Sequence, residues 1–277
     1  MAEITAALVM QLREETGLPM MDCKKALSEC KGDKEAAKEH LRKQGIKLSE
    51  TRSSRETSFG RFGIYAGVDK KAGGIVEVKC ESAPVAGSAE FIQFANDLAQ
   101  QLATGPGAST ADQLLDQPCP SKPGKTLRDV KDEMFNRIRE VFNVGRMKRM
   151  EGATGGYSHN SGTVSGVLVQ VEGGNDPAAK DVSMHIAAMQ PLAVIKEEID
   201  PAIVAKEREI LRDAALKEGK PANIVDKMVE GRLKNFYAEK VLTEQPFVKE
   251  NTQTVGAFAG GHKMKIKQFV HWVLGKE

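Results

Sequence analysis

A short apolar run that occurs twice, each time at the same distance from a tyrosine, constrains the fold most. Gly74–Val78 begins nine positions after Tyr65, and Gly166–Val171 begins nine positions after Tyr157. Runs rich in β-branched residues are typical of strands. A helical pattern follows each run at matching positions: Phe91, Phe94 and Ala95 in the first unit, and Ser183, Ile186 and Ala187 in the second. The sequence therefore predicts two related strand-and-helix subdomains through a weak internal duplication, or two ordinary units that resemble each other by chance.

The end of the first run has the pattern of a supported turn. Val78 and Cys80 alternate with charged residues, which predicts a strand with one buried face. Pro84 donates no backbone hydrogen bond and disfavours helical backbone in the residue before it. Ser82–Val85 is therefore predicted to form a tight, exposed bend, and Ser88 is a suitable N-cap for a following helix. A bend between a strand and a helix has a rigid support, which is where binding residues are often placed.

Composition argues against several functional classes. The 277 residues include 40 Lys+Arg and 38 Asp+Glu, a near-neutral balance without the basic footprint of a nucleic-acid-binding protein. No apolar run reaches the roughly 18–20 residues of a membrane span. The first residues lack the features of a secretory or transit signal, so a cytoplasmic protein is expected.

The reactive residue types form no recognisable cofactor motif. The chain has four cysteines and no CxxC pair, which favours reduced thiols, two of them facing the core. They are Cys23, Cys30, Cys80 and Cys119. The sequence also lacks a phosphate-binding loop and metal-ligand spacing, so no cofactor or metal is expected.

Two segments have helical patterns. Residues 1–45 contain three short helical patterns, and the last is predicted to end at Gly45. Residues 200–240 begin with Asp200-Pro201, a common helix start, and turn at 219–221. The return helix has four apolar residues on one stripe: Val225, Val229, Leu233 and Phe236. This segment is predicted to be an antiparallel hairpin forming a short coiled coil, with homo-oligomer formation through the hairpin as an option.

These patterns predict an α+β fold with antiparallel-sheet-plus-helix subdomains. The expected domains are 1–45, a three-helix module similar to ubiquitin-associated (UBA-like) domains; 46–58, a Ser- and Arg-rich linker; 59–144, the first core subdomain; 145–199 with 241–277, the second core subdomain; and 200–240, the helical hairpin inserted in the second subdomain.

Longer motifs resemble one known family. Residues 12–27 read LREETGLPMMDCKKAL, and the hairpin region contains GKP at 219–221, KMVEGR at 227–232 and LTEQPFV at 242–248. Together they resemble bacterial translation elongation factor Ts, over nearly the whole chain and in the same order. The resemblance implies a protein that is not an enzyme. It implies a factor that binds the GDP form of the GTPase elongation factor Tu (EF-Tu) and promotes GDP release.

The resemblance also implies which residues bind the partner. Relatives carry Thr-Asp-Phe-Val at the end of the first subdomain's strand, and this tip displaces the magnesium bound with the nucleotide. The matching residues here are Ser82, Ala83, Pro84 and Val85. The resemblance adds Met20 and Met21, at a loop-to-helix junction where at least one should be exposed, and His159 in a Tyr-x-His pattern. His185 also matches, but its helical stripe favours core packing.

Three interpretations remain open at this stage. The chain is an exchange factor with an altered tip, or an interaction protein that stabilises EF-Tu with little exchange activity, or an enzyme that uses Cys23 or Cys80 with a histidine. The last ranks lowest, because neither cysteine has neighbours in sequence that clearly activate a thiolate.

Overall fold

The fold class is α+β, as predicted. The computed structural model describes residues 4–52, 54–218 and 221–276. The helices are α1 (Ala6–Thr16), α2 (Met20–Glu29), α3 (Lys34–Arg52), α4 (Ala83–Ala86), α5 (Ala89–Thr104), α6 (Ala111–Leu115), α7 (Leu127–Ile138), α8 (Asp176–Met189), α9 (Pro201–Lys217), α10 (Ala222–Lys240) and α11 (Val255–Gly261). The strands are β1 (Phe59–Tyr65), β2 (Ala72–Cys80), β3 (Asn143–Glu151), β4 (Thr154–His159), β5 (Ser165–Gly173), β6 (Pro246–Phe247), β7 (Glu250–Thr254) and β8 (Met264–Val273).

The described residues form two compact units, and each is interrupted in sequence. Unit 1 takes in the described part of 1–63 together with 76–148. Unit 2 takes in 64–75 and the described part of 149–277. Within this described chain, every helix is too short or too polar to cross a membrane.

The N-terminal helices of unit 1 have a small apolar core of their own. Thr5 caps α1 by accepting a hydrogen bond from Leu8 N–H, and Gly17 ends the helix in a left-handed conformation with φ 68°, as is usual for these residue types. The buried residues of this core are Val9, Leu12, Leu18, Cys23, Ala26, Leu27, Ala37 and Leu41. Cys30 is half-exposed, since it lies at the end of α2. The similarity to ubiquitin-associated modules remains a prediction.

The third helix is longer than predicted. It was expected to end at Gly45 and to be followed by a linker at 46–58, but α3 continues to Arg52. A Cβ atom at position 45 would overlap the Asn136 side chain of α7. Glycine here allows two helices to approach closely, and it does not stop the helix. Of the predicted linker, residue 53 lies outside the described residues.

In the first core segment, a helix packs against a sheet. A three-stranded sheet has the order β1-β2-β3, and unit 1 holds the parts at 59–63, 76–80 and 143–148. Strand β2 was predicted to bury one face, yet eight of its nine residues are buried. Glu77 is only 2% exposed because its carboxylate pairs with Arg146, at 2.8 Å. Ser88 caps α5, as predicted, by accepting a hydrogen bond from Phe91 N–H.

Unit 2 is built around β5. This strand pairs antiparallel with β4 on one side and with β8 on the other. Apolar residues of β5 and α8 form the core, including Val167, Val169, Val171, Val182 and Ile186. Each unit thus has a strand pair followed by a helix, in the order that the repeated pattern predicts; a common origin remains a prediction.

The helical hairpin of unit 2 agrees with its predicted register. Asp200 caps α9 by accepting a hydrogen bond from Ala202 N–H. The seam between α9 and α10 buries Ala215, Val225, Val229 and Leu233. Of the predicted turn, Gly219 and Lys220 lie outside the described residues.

Candidate functional site

The predicted tip of β2 is one turn of helix. Ser82 is extended, with φ −134° and ψ 151°, and α4 follows with Pro84 as its second residue. The tight bend expected here is thus corrected to a helical turn. Proline fits this place because the missing N–H would have no partner in the first helical turn. Ala83 and Pro84 are exposed, while Ser82 and Val85 are half-buried.

Ser82 is fixed by partners from two directions. Its N–H donates to Glu140 Oε2 at 3.1 Å and its hydroxyl donates to Glu140 Oε1 at 2.6 Å. Its carbonyl accepts a hydrogen bond from Cys80 Sγ at 3.3 Å. Serine at this position usually caps the helix that follows, but this hydroxyl makes no cap. The Ser82 hydroxyl binds Glu140 instead and anchors the start of the tip.

The rest of the tip is held from behind. Arg61 Nη1 donates to Ala86 O at 3.1 Å, and Ser88 Oγ donates to Val85 O at 2.8 Å. On the strand side, Val141 N–H donates to Glu81 Oε1 at 2.8 Å. The turn therefore has fixed ends, and the exposed side chains of Ala83 and Pro84 face solvent on a pre-organised backbone.

The two methionines begin α2. Met20 is 43% exposed and Met21 is 71% exposed, so both side chains are accessible. The sequence predicted that at least one of them is exposed. Adaptable thioether side chains of this kind are common at protein-binding surfaces. The next residue, Asp22, pairs with Arg139, at 2.7 Å between Oδ2 and Nη2. This corner of the molecule, Met20–Asp22, is called the methionine corner below.

His159 lies at the end of β4, in unit 2, whereas the tip and the methionine corner lie in unit 1. Its Nδ1 is 2.9 Å from the Tyr157 hydroxyl, and the two rings are tilted with centroids 5.9 Å apart. The imidazole is half-buried. A tyrosine orients this ring, and a partner role for His159 remains a prediction.

The cysteines do not have the environment of activated nucleophiles. Burial raises the pKa of the Cys80 thiol to about 11, and its proton is directed to Ser82 O. Cys23 has no exposed surface. An enzyme with a cysteine nucleophile needs an accessible thiolate at neutral pH. The geometry of Cys23 and Cys80 therefore gives no support to an enzyme that uses either of them. In the described segments, no group of three or more His, Cys, Asp or Glu residues is arranged to hold a metal ion.

Sequence reasoning missed Arg139 and Glu140. The apolar spacing of α7 continues to Val141, which predicts a longer helix, but α7 ends at Ile138. Arg139 then adopts a left-handed conformation with φ 66°, a place where glycine is more common. The sequence has no glycine there to mark the end of the helix, so the two charged residues looked like one more helical turn.

Comparisons with known proteins agree over most of the chain. A family model described as Elongation factor TS matches residues 81–276. Elongation factor Ts of Methylococcus capsulatus is 42% identical over 276 residues, which cover 99% of this chain and 92% of the relative. The same factor of Thioalkalivibrio sulfidiphilus is 38% identical over 277 residues, covering 99% and 92%. That of Nitrosomonas eutropha is 39% identical over 279 residues, covering 100% and 93%.

Proposed function

Because the chain belongs to the elongation factor Ts family, we propose that it binds the GDP form of EF-Tu and promotes GDP release during translation elongation. One observation carries the proposal: β2 ends in an exposed, firmly supported turn at Ser82–Val85. This is the position at which the family resemblance implies a tip that acts on the partner's magnesium site. The methionine corner, with both methionines exposed, is the second proposed contact.

The proposed action follows from linkage between two binding equilibria. A factor that binds nucleotide-free EF-Tu more tightly than the GDP form must weaken GDP binding by the same ratio. The rigid tip suits this role, because little conformational freedom is lost when an already ordered turn meets its partner. The chain needs no catalytic group of its own for such an exchange.

The side chains of the tip favour a second candidate function. Ala83 and Pro84 stand where relatives have an acidic residue and an aromatic wedge, and both present small surfaces to solvent. Loss of an aromatic anchor at an interface typically costs about 2 kcal/mol or more. A protein with this tip could bind and stabilise EF-Tu while exchanging nucleotide slowly.

Fluorescent GDP distinguishes the two functions. EF-Tu from the same organism is loaded with a fluorescent GDP analogue, and its release is followed with and without the native chain. Exchange activity predicts faster release than the spontaneous rate. Ala83→Asp with Pro84→Phe should raise the release rate further, because phenylalanine adds contact area that forms only when the partner has opened.

Pro177→Phe is the matched control, since Pro177 is an exposed proline at the second position of α8. It should leave the release rate unchanged. Binding of EF-Tu without acceleration would support the stabilising function. If the chain neither binds EF-Tu nor accelerates GDP release, both proposed functions are contradicted.

A further inference from the structure

Two consecutive residues after α7 connect the proposed contact sites of unit 1. Arg139 pairs with Asp22, at 2.7 Å, beside the exposed methionines. Glu140 accepts both hydrogen bonds from Ser82, at 3.1 and 2.6 Å, at the base of the tip. One peptide unit therefore separates the residue that holds the methionine corner from the residue that holds the tip.

The backbone of this connection is itself fixed. Arg139 N–H donates to Phe135 O at 2.7 Å, which closes the end of α7. Arg139 O accepts a hydrogen bond from Arg52 Nη1 at 3.0 Å, so the end of α3 is bound here too. The left-handed conformation of Arg139 turns the chain out of the helix at this point. Both side chains thus leave a backbone that has little freedom to move.

We propose that Arg139 and Glu140 are positioning residues that hold the methionine corner and the tip in one fixed relation, so that both engage a single EF-Tu molecule together. This inference rests on the proposed function. Two contacts held in a fixed relation raise the effective concentration of the second once the first has formed. If the connection loosens, each contact with EF-Tu still forms, but binding at one site no longer positions the second site against EF-Tu.

The ion pair between Arg139 and Asp22 suits this role better than a role in stability. The two side chains are 32% and 41% exposed, and ion pairs of that exposure contribute little to folding. Breaking the pair should leave the protein folded and change mainly the relation between the two sites.

A double-mutant cycle tests the proposal. Arg139→Asn removes the ion pair but keeps the turn, because asparagine readily adopts the left-handed conformation. Met21→Ala removes one contact. We expect Met21→Ala to weaken the affinity for nucleotide-free EF-Tu about tenfold in the native background. In the Arg139→Asn background, we expect a loss below about threefold, since the second contact then adds less.

Charge reversal provides the rescue. Asp22→Arg together with Arg139→Asp restores an ion pair with opposite polarity, and aspartate also tolerates the left-handed conformation. The full effect of Met21→Ala should return in this background. Arg128→Gln is the matched control: it breaks the ion pairs of Arg128 with Asp112 and Asp116 elsewhere in unit 1, and the effect of Met21→Ala should stay tenfold.

Glu140 is tested through the kinetics of GDP release. Glu140→Ala removes both carboxylate oxygens that accept hydrogen bonds from Ser82, which frees the tip but leaves its contact side chains in place. We expect the maximal release rate to fall about threefold or more, with little change in the concentration for half-maximal effect. Ser82→Ala combined with Glu140→Ala should be no worse than Glu140→Ala alone, because the hydroxyl bond that Ser82→Ala removes is already absent.

Equal losses from Met21→Ala in the native and Arg139→Asn backgrounds would overturn the inference. So would a Glu140→Ala variant that promotes GDP release at the native maximal rate. In both cases the native chain still accelerates GDP release, and the proposed function stands. Failure of the native chain to bind EF-Tu would instead refute the proposed function.

Discussion

At the scale of single residues, His185 shows how burial fixes a protonation state. Its side chain has no exposed surface. Val248 N–H donates to Nδ1 at 3.1 Å, so Nε2 carries the proton and donates to Gln245 Oε1 at 2.9 Å. Burial lowers the pKa of His185 from its ordinary value of 6.5. The folded protein therefore keeps a neutral imidazole with both nitrogens bonded.

This neutral histidine predicts acid sensitivity. A histidine with a lowered folded pKa gives stability that is present above the unfolded pKa and lost as the pH falls below it, because the unfolded chain takes up the proton first. Below about pH 6.5, the free energy of unfolding should fall by up to about 1.4 kcal/mol per pH unit through this group. Urea unfolding of the native chain between pH 5.5 and 7.5 measures the slope.

His185→Gln removes the titrating group and is the comparison for that slope. It should be less stable at pH 7.5, since the bond to Val248 N–H or to Gln245 is disturbed, but its stability should depend less on pH. Identical slopes for the two proteins would show that other groups cause the acid sensitivity.

Residues with local signals were predictable, and those with distant partners were not. The exposure of at least one of Met20 and Met21 follows from two adjacent residues at a helix start, which cannot both face one small core. Glu140 bonds a serine 58 positions away, and Arg139 bonds an aspartate 117 positions away. Local spacing patterns cannot identify a partner at such separations, because only the folded chain brings the two residues together.

At the scale of elements, periodicity predicts the hairpin well and the strand less well. The seam of α9 and α10 depends on a 3.6-residue repeat, which the sequence displays directly. Burial on both faces of β2 depends on what covers the second face, and there the salt bridge of Glu77 with Arg146 places a charged residue in the interior. The length of α3 likewise depends on a contact between Gly45 and Asn136 that local sequence cannot show.

The hairpin register makes a direct prediction. Leu233→Asp puts a carboxylate into the apolar seam, where the side chain is 1% exposed, and should destabilise the hairpin by about 3 kcal/mol. Ile210→Asp is the matched control on the facing helix, since Ile210 is 52% exposed, and should change stability by less than about 0.5 kcal/mol. Circular dichroism during thermal melting measures both. Equal melting of the two variants would refute the register.

The same exposed surface bears on self-association. Ile203 and Ile210 lie one heptad apart on α9, 44% and 52% exposed. Formation of a homo-oligomer through the hairpin remains a prediction, and light scattering of native and Ile210→Asp proteins would test it.

At the scale of the whole chain, the N-terminal helices belong to unit 1 structurally. Helix α3 approaches α7 closely at Gly45, Arg52 bonds Arg139, and Arg42 pairs with Asp129. A module on a free linker would have none of these contacts. The segment therefore supports the fold of unit 1 as well as presenting the methionine corner.

Removal of residues 1–52 should consequently have two effects. Affinity for EF-Tu should fall, because the methionine corner is lost, and the thermal midpoint should fall, because α7 loses its contact with α3. Titration against nucleotide-free EF-Tu and calorimetry measure the two effects separately. A truncated chain that melts at the native temperature would show that these helices act only as an appended module.

The interrupted units also set an order of events for the nascent chain. Residues 64–75 leave the ribosome early, yet the rest of unit 2 begins at residue 149. Strand β5 is apolar and pairs along its length with β8, the last strand of the described chain. Until Met264–Val273 has been synthesised, one edge of β5 has no partner, and unpaired edges of this kind invite pairing with other chains. A pause in synthesis just before β8 would therefore leave this edge of β5 open to pairing with other chains.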